Sequence, residues 1–241
     1  MCNTFLYKYI FIDLDKFCLI MKLVISALTK LIVGLGGIAT LLFAPAGTIA
    51  YLGAWRLLML LFIPMIIMGI ALLIWAPETL SRRLRSKEER AKQKGVVALS
   101  GVLFIASFIL AGLDFRFGWS EIPSWVTWTA SSIFLLSYGM YAEVMRENEW
   151  LSRSIEVMEG QKVVSTGLYG IVRHPMYSAT IAMFLAMPLV MGSWWAFLVM
   201  IPYVLAIAAR IKDEEILLTK ELEGYTEYKK KVRWKLIPYI W

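Results

Sequence analysis

The chain has 241 residues, 59% of them hydrophobic, with a formal net charge of +7 and a mean hydropathy of +0.66. Soluble domains run at roughly 45–50% apolar, so an ordinary globular fold is excluded. A soluble nucleic-acid module goes with it, because no basic face with base-stacking aromatics is visible.

Residues 1–22 mix Lys8, Asp13, Asp15 and Lys16 with apolar residues and lack the charge, apolar and cleavage order of a signal peptide. Met21 and Lys22, followed by an apolar run, read as a natural start. The upstream part reads as an extension or a short interfacial helix without a catalytic role. Cys2 and Cys18 make no metal-ligand spacing with the single histidine, so no metal site is expected.

Residues 23–43, 55–76, 95–113 and 123–145 approach or exceed the roughly 18 residues of a transmembrane candidate. Within the first, the run from Gly34 to Gly37 has no preceding strand and is expected to serve close helix packing. The fifth run, 177–209, is too long for one crossing. At about 1.5 Å per residue it would reach about 50 Å against a core of about 30 Å. Met191, Gly192 and Ser193 form a plausible break, giving two antiparallel helices. The expected fold is an all-α, polytopic integral membrane protein of about five to six transmembrane helices, ending in a helical hairpin.

Basic residues set the orientation. The 77–94 loop carries Arg82, Arg83, Arg85, Lys87, Arg90, Lys92 and Lys94, and the C-terminal segment is similarly rich. The 114–122 loop has one Arg and the turn at Gly192 has none. Both termini, and the 77–94 and 146–176 loops, are therefore expected on the cytoplasmic side. Trp55, Trp119, Trp125, Trp194 and Trp195 then mark the outer interface. The positive charge faces anionic lipid.

Three regions follow: an extension at 1–22, four spans at 23–146, and a candidate catalytic region at 147–241. The 146–174 connection is long for a helix–helix loop. Its apolar residues argue against disorder and for packing on the helices. After residue 209 a helix leaves the membrane, and Gly224 ends or kinks it.

The hairpin's two feet carry the chemistry. Pro175 suits the first position of a helix, with His174 near its cap and Arg173 beside it. The first-turn amides form an expected anion site. At the other foot Arg210 and Glu214 stand one turn apart, with Asp213 and Glu215 adjacent. A carboxylate there can bind an ammonium or sulfonium, and an Arg can fork onto an acid. Each residue also has a plainer reading, as interface anchor, helix pair, cap or solvated face. Their joint presence at both ends of one hairpin favours a site.

Gly167-x-Tyr169, Arg173-His174-Pro175-x-Tyr177, Glu214-Glu215-x-x-Leu218, Tyr225-x-x-Tyr228 and Ile237-Pro238 together resemble the isoprenylcysteine carboxyl methyltransferase family. Phospholipid N-methyltransferases share the pattern more loosely. The resemblance covers residues 148–241. It implies S-adenosylmethionine as cofactor and a lipophilic small-molecule or lipidated acceptor, reached from the lipid side. By similarity, Gln161, Lys162, Val163, Val164 and Tyr169 line the cofactor. His174, Pro175, Met176 and Tyr177 hold its two ends, and Glu214 takes its amino group. Arg210 orients the acceptor, with Arg173 as its catalytic companion. One departure is Glu156, which stands where many relatives carry Gln. A carboxylate acceptor needs no base, whereas a thiol or amine would need one. The competing readings are an NADPH-dependent sterol-type membrane reductase and a non-enzymatic membrane scaffold.

Overall fold

The computed structural model describes the backbone of residues 2–84, 91–151 and 157–241, and side chains from residue 20 onward apart from 82 and 91–93. Arg85, Lys87, Arg90 and Glu156 therefore lie outside the described residues. All regular structure there is helical: α1 (Cys2–Ala46), α2 (Leu52–Trp75), α3 (Pro77–Leu84), α4 (Ala91–Phe117), α5 (Ser124–Glu147), α6 (Pro175–Met191), α7 (Trp194–Met200), α8 (Pro202–Glu221) and α9 (Tyr225–Lys231). A 3₁₀ turn at Gly167–Gly170 precedes α6.

Four stretches among the described residues are long and apolar enough to cross a membrane: Ile20–Ala46, Leu52–Trp75, Lys94–Phe117 and Trp194–Glu221. α5, read from the sequence as a further span, is 24 residues long but falls outside that set. Its sequence mixes hydroxyl residues, tryptophans and the charges of Glu143, Arg146 and Glu147 with the apolar ones. Ser131, Ser132 and Ser137 each donate to the carbonyl four residues back, at 2.7–3.0 Å. The helix thereby satisfies its own polar groups, as an apolar environment demands.

The long apolar run breaks at Gly192. Its φ of +88° is the left-handed conformation that glycine adopts without steric cost. The Gly192 and Ser193 amides close on the Leu189 and Pro188 carbonyls, ending α6 in the manner of an αL cap. Ser193 then caps α7 by accepting from the Ala196 amide at 3.0 Å. Pro202 opens α8, where its missing N–H falls at a helix start.

At this end of the molecule Asp114 is a buried polar centre. Its carboxylate accepts from the Ser120 amide and hydroxyl, both at 2.7 Å, and from the Ser193 hydroxyl. Tyr51 adds a hydrogen bond to the Met191 carbonyl at 2.8 Å. The 46–51, 114–122 and 191–194 turns are thus locked together, far along the hairpin from Arg173 and Arg210.

The core runs between α1, α2, α4, α5 and the hairpin, through Leu42, Phe134, Met187, Met191, Met200 and Ile211. Leu136, Leu205 and Trp75 face outward, as lipid contact requires.

Close approach is mediated by glycines other than those expected. Nothing lies within 4 Å of a Cβ built on Gly36 or Gly37, and Gly34 meets only the edge of Phe62. The packing role belongs instead to Gly112, where a Cβ would stand 2.6 Å from the Leu42 carbonyl, and to Gly53 against the Met191 carbonyl. Gly112→Ala is expected to destabilise the fold by about 1–3 kcal/mol through overpacking of α4 on α1. Gly36→Ala is expected to be neutral or stabilising by up to about 1 kcal/mol. In one detergent the melting midpoint of Gly112→Ala should therefore fall, while that of Gly36→Ala should hold or rise.

Candidate functional site

The far end of the molecule from Asp114 holds an open-mouthed pocket with about 100 Å³ of enclosed space. Of the residues singled out from the sequence, Gln161, Lys162, Val163, Val164, Tyr169, Arg173, His174, Met176, Tyr177, Arg210 and Glu214 all line it. Pro175 does not. It is fully buried at the first position of α6, where its fixed φ starts the helix that carries Met176 and Tyr177.

The two feet of the hairpin meet through one phenol. Arg210 Nε donates to the Tyr177 hydroxyl at 2.9 Å, and that hydroxyl donates to Glu214 Oε2 at 2.6 Å. Arg210 and Glu214, one turn apart on α8, are thus joined by a side chain from α6. Both Tyr177 and Arg210 are buried.

Behind this relay lies an ion cluster centred on Glu215. Arg173 Nε reaches Glu215 Oε1 at 2.6 Å, and Lys235 Nζ stands 3.3 Å from Oε2. His174 Nε2 is 3.4 Å from Oε1. Arg173 also donates to the carbonyls of Val232 and Arg233, at 2.8 and 2.7 Å. The guanidinium's hydrogen bonds therefore run to α8 and the tail.

The anion site expected at the start of α6 is narrowed by the chain's own hydrogen bonds. The Arg173 and His174 amides donate to the Trp234 and Lys235 carbonyls at 2.9 Å, while the Tyr177 and Ser178 amides close on the His174 carbonyl. The tail takes the Arg173 and His174 amides because its own carbonyls need partners once buried. It is held further by Ser178, which donates to the Leu236 carbonyl at 2.7 Å. The Trp241 carbonyl accepts from the amides of Lys235, Leu236 and Ile237.

The loop before α6 packs on the helices, as its apolar residues implied. Gly167 has a φ of +46°, and a Cβ there would collide with the Glu147 carboxylate, which accepts from the Leu168 amide at 3.0 Å. The Gly-x-Tyr spacing thus lets α5's last residue grip the turn. Tyr169, two residues on, accepts a hydrogen bond from Asn148 at 2.9 Å, and its carbonyl accepts from the Tyr228 hydroxyl at 2.7 Å. Burial pushes the Tyr169 phenol up to about 12, against a lowering by the Asn148 bond. It stays protonated at neutral pH. Gln161 spends its side-chain oxygen on the Met158 amide at 2.9 Å, shaping the loop at the pocket's rim.

Asn148, Trp150, Leu151, Leu218 and Leu222 also line the pocket, and the sequence marked none of them as site residues. Tyr225 and Tyr228, noted there only as part of a motif, are lining residues too. The Tyr225 hydroxyl is buried without a hydrogen-bond partner, and burial first, then Glu215 and Glu214, pushes its pKa well above the ordinary phenol value. Such an orphaned donor calls for an acceptor from outside the chain. Among the described residues no cluster of His, Cys, Asp and Glu is arranged to hold a metal ion.

Residues 126–223, from the start of α5 to just past α8, match the family model for phospholipid methyltransferases. This region is a phospholipid methyltransferase domain. Together with the four stretches apolar enough to span a bilayer, the match, which covers less than half of the chain, supports a membrane methyltransferase and favours it over the reductase and scaffold readings. No curated protein matches the chain. The methyltransferase domain contains the whole Arg210–Tyr177–Glu214 relay. It leaves outside it Tyr225, Tyr228 and the tail that pairs with Arg173.

Arg173→Gln is expected to leave Glu215 short of its principal partner and to release the tail. Breaking a buried pair from one side costs about 3–5 kcal/mol. The measurement is limited trypsin digestion: cleavage between Lys229 and Lys235 should accelerate at least about tenfold, given the size of that penalty.

Proposed function

We propose that this methyltransferase transfers the methyl group of S-adenosylmethionine to a lipophilic acceptor carrying a carboxylate, of the isoprenylcysteine kind, at the cytoplasmic face of its membrane. The observation that carries the reading is the hydrogen-bonded chain Arg210–Tyr177–Glu214 on the wall of a single pocket. It sets a cation and an anion side by side, which is what an anionic acceptor and a cationic donor require.

The residues present fit such a cofactor. Glu214 offers a carboxylate to an ammonium, and the unpartnered Tyr225 hydroxyl offers a donor to a polar atom of the ligand. Tyr169, Met176, Leu218 and Leu222 supply apolar walls. When bound, S-adenosylmethionine supplies an activated methyl group on a sulfonium. The chain's own part is positioning, which accounts for much of the acceleration in displacements of this kind.

Arg210 holds an oxygen of the acceptor's carboxylate. Tyr177 fixes the Arg210 fork by accepting from it, and fixes Glu214 by donating to it, so acceptor and cofactor ends are held by one phenol. The apolar walls exclude water and strengthen these charge interactions. A carboxylate has no proton to remove, so no residue acts as base. Arg173, tied to Glu215 and the tail, is a positioning residue in this scheme. The cytoplasmic placement rests on the basic residues of the 77–94 loop and the tail.

Calorimetry on detergent-purified protein tests the assignment. S-adenosylmethionine and S-adenosylhomocysteine should bind, and NADPH should not. Glu214→Gln should weaken S-adenosylmethionine by about 10- to 100-fold, the value of a hydrogen bond to a charged group, while the protein stays monodisperse. Unchanged affinity in that variant would overturn the role given to Glu214.

Tyr177→Phe removes the hydroxyl that joins Arg210 to Glu214. Turnover should fall by about 10-fold or more, since two charged hydrogen bonds are lost. Kinetics on a prenylated cysteine acid would show it as a drop in kcat at saturating acceptor.

A further inference from the structure

Arg83 lies outside the methyltransferase domain, at the end of α3, yet it turns toward that domain. Its Nη2 stands 3.8 Å from the Met176 sulfur, and its guanidinium carbon lies 5.6 Å from the ring centre of Tyr141 on α5. Its Nε is buried and has no hydrogen-bond partner. The charge is close enough to act on the Tyr169 phenol. Met176 and Tyr169 both line the pocket.

This is an unusual position for an arginine. A thioether and an aromatic face are soft, neutral partners worth about 1–2 kcal/mol at most. An arginine at a membrane interface ordinarily points its five donors into water or onto a carboxylate. Among the described residues Arg83 is given no carboxylate. The buried Nε is left without an acceptor, at a cost of about 1–3 kcal/mol, and the planar guanidinium fork is matched to carboxylate and phosphate oxygens.

We infer that Arg83, standing behind Met176 at the pocket's edge, anchors the oxyanion of the methyl acceptor, a lipid carboxylate or phosphate. The inference rests on the function proposed above and deepens it. Acceptor recognition would then draw on Arg83 from the N-terminal half as well as on Arg210, while Glu214 meets the cofactor. Carboxylate and phosphate share the chemistry. A carboxylate held there is also the reacting group, whereas a phosphate would anchor a lipid that reacts elsewhere.

The experiment uses the full chain in detergent, with wild type, Arg83→Gln and Arg83→Lys. S-adenosylhomocysteine affinity is measured first and should be the same in all three. Binding of S-farnesyl-N-acetylcysteine and of its neutral methyl ester is then compared. In Arg83→Gln the acid should weaken by at least about tenfold, as loss of a charged hydrogen bond implies, with the ester unchanged. Arg83→Lys should fall between, since it keeps the charge and loses the fork.

A second arm in nanodiscs compares phosphatidylethanolamine with diacylglycerol. Selective loss there, in place of the acid, names phosphate as the source. Equal weakening of acid and ester overturns the inference. So does the absence of any anion-selective difference in either arm, including the case where wild type binds neither anionic probe. A wild type that binds the acid through Arg83 but not S-adenosylhomocysteine would instead overturn the proposed methyl donor.

Discussion

Glu215 is the residue on which the rest of the site depends. Its carboxylate receives Arg173 and Lys235 and stands beside His174, so one anion on α8 gathers the start of α6 and the C-terminal tail. Arg173 and Lys235 would each be costly in isolation near a bilayer. Around a shared carboxylate they satisfy one another. Arg173 then has donors left for the Val232 and Arg233 carbonyls. The tail consequently runs along the start of α6 and takes up its backbone amides. Without that anion the floor under the pocket has no reason to close.

Glu214 is the immediate neighbour of Glu215 in sequence but points to different work. Successive positions on a helix lie about 100° apart, so one carboxylate serves the structural cluster and the other faces Tyr177 and the pocket. The Glu–Glu pair is thereby a division of labour between holding the tail and meeting a ligand. Tyr177 is the hinge between the two hairpin feet. Its hydroxyl can both accept from Arg210 and donate to Glu214 because a phenol carries both functions on one atom.

At the opposite end, Asp114 performs for the turns what Glu215 performs for the tail. Ser120 and Ser193 donate to it, so the hairpin is clamped at its tip as well as its feet. A hairpin fixed at both ends holds the α6–α8 spacing that the Arg210–Tyr177–Glu214 relay needs. Positional accuracy at a membrane-edge site thus comes from two buried carboxylates, one at each end of the same pair of helices.

Much of this was legible from the chain alone. Apolar run lengths named the helices, because a bilayer core admits few alternatives. The excess length of the 177–209 run, with Gly192 inside it, named the break. Clustered polar residues at both hairpin feet named the pocket's principal side chains. What the sequence could not decide was partnership. Arg173 and Arg210 look alike as isolated cations, and only the packing shows that one holds the tail while the other meets Tyr177. Gly34 to Gly37 carry a small-residue pattern, yet Gly112 and Gly53 make the close approaches, because approach depends on which helix lies opposite. Arg83 read as one basic residue among several in the 77–94 loop. Only the packing of α3 on α1 and α2, which lets the Arg83 side chain reach Tyr141 and Met176, separates it from them, since such contacts depend on neighbours that lie far away in sequence.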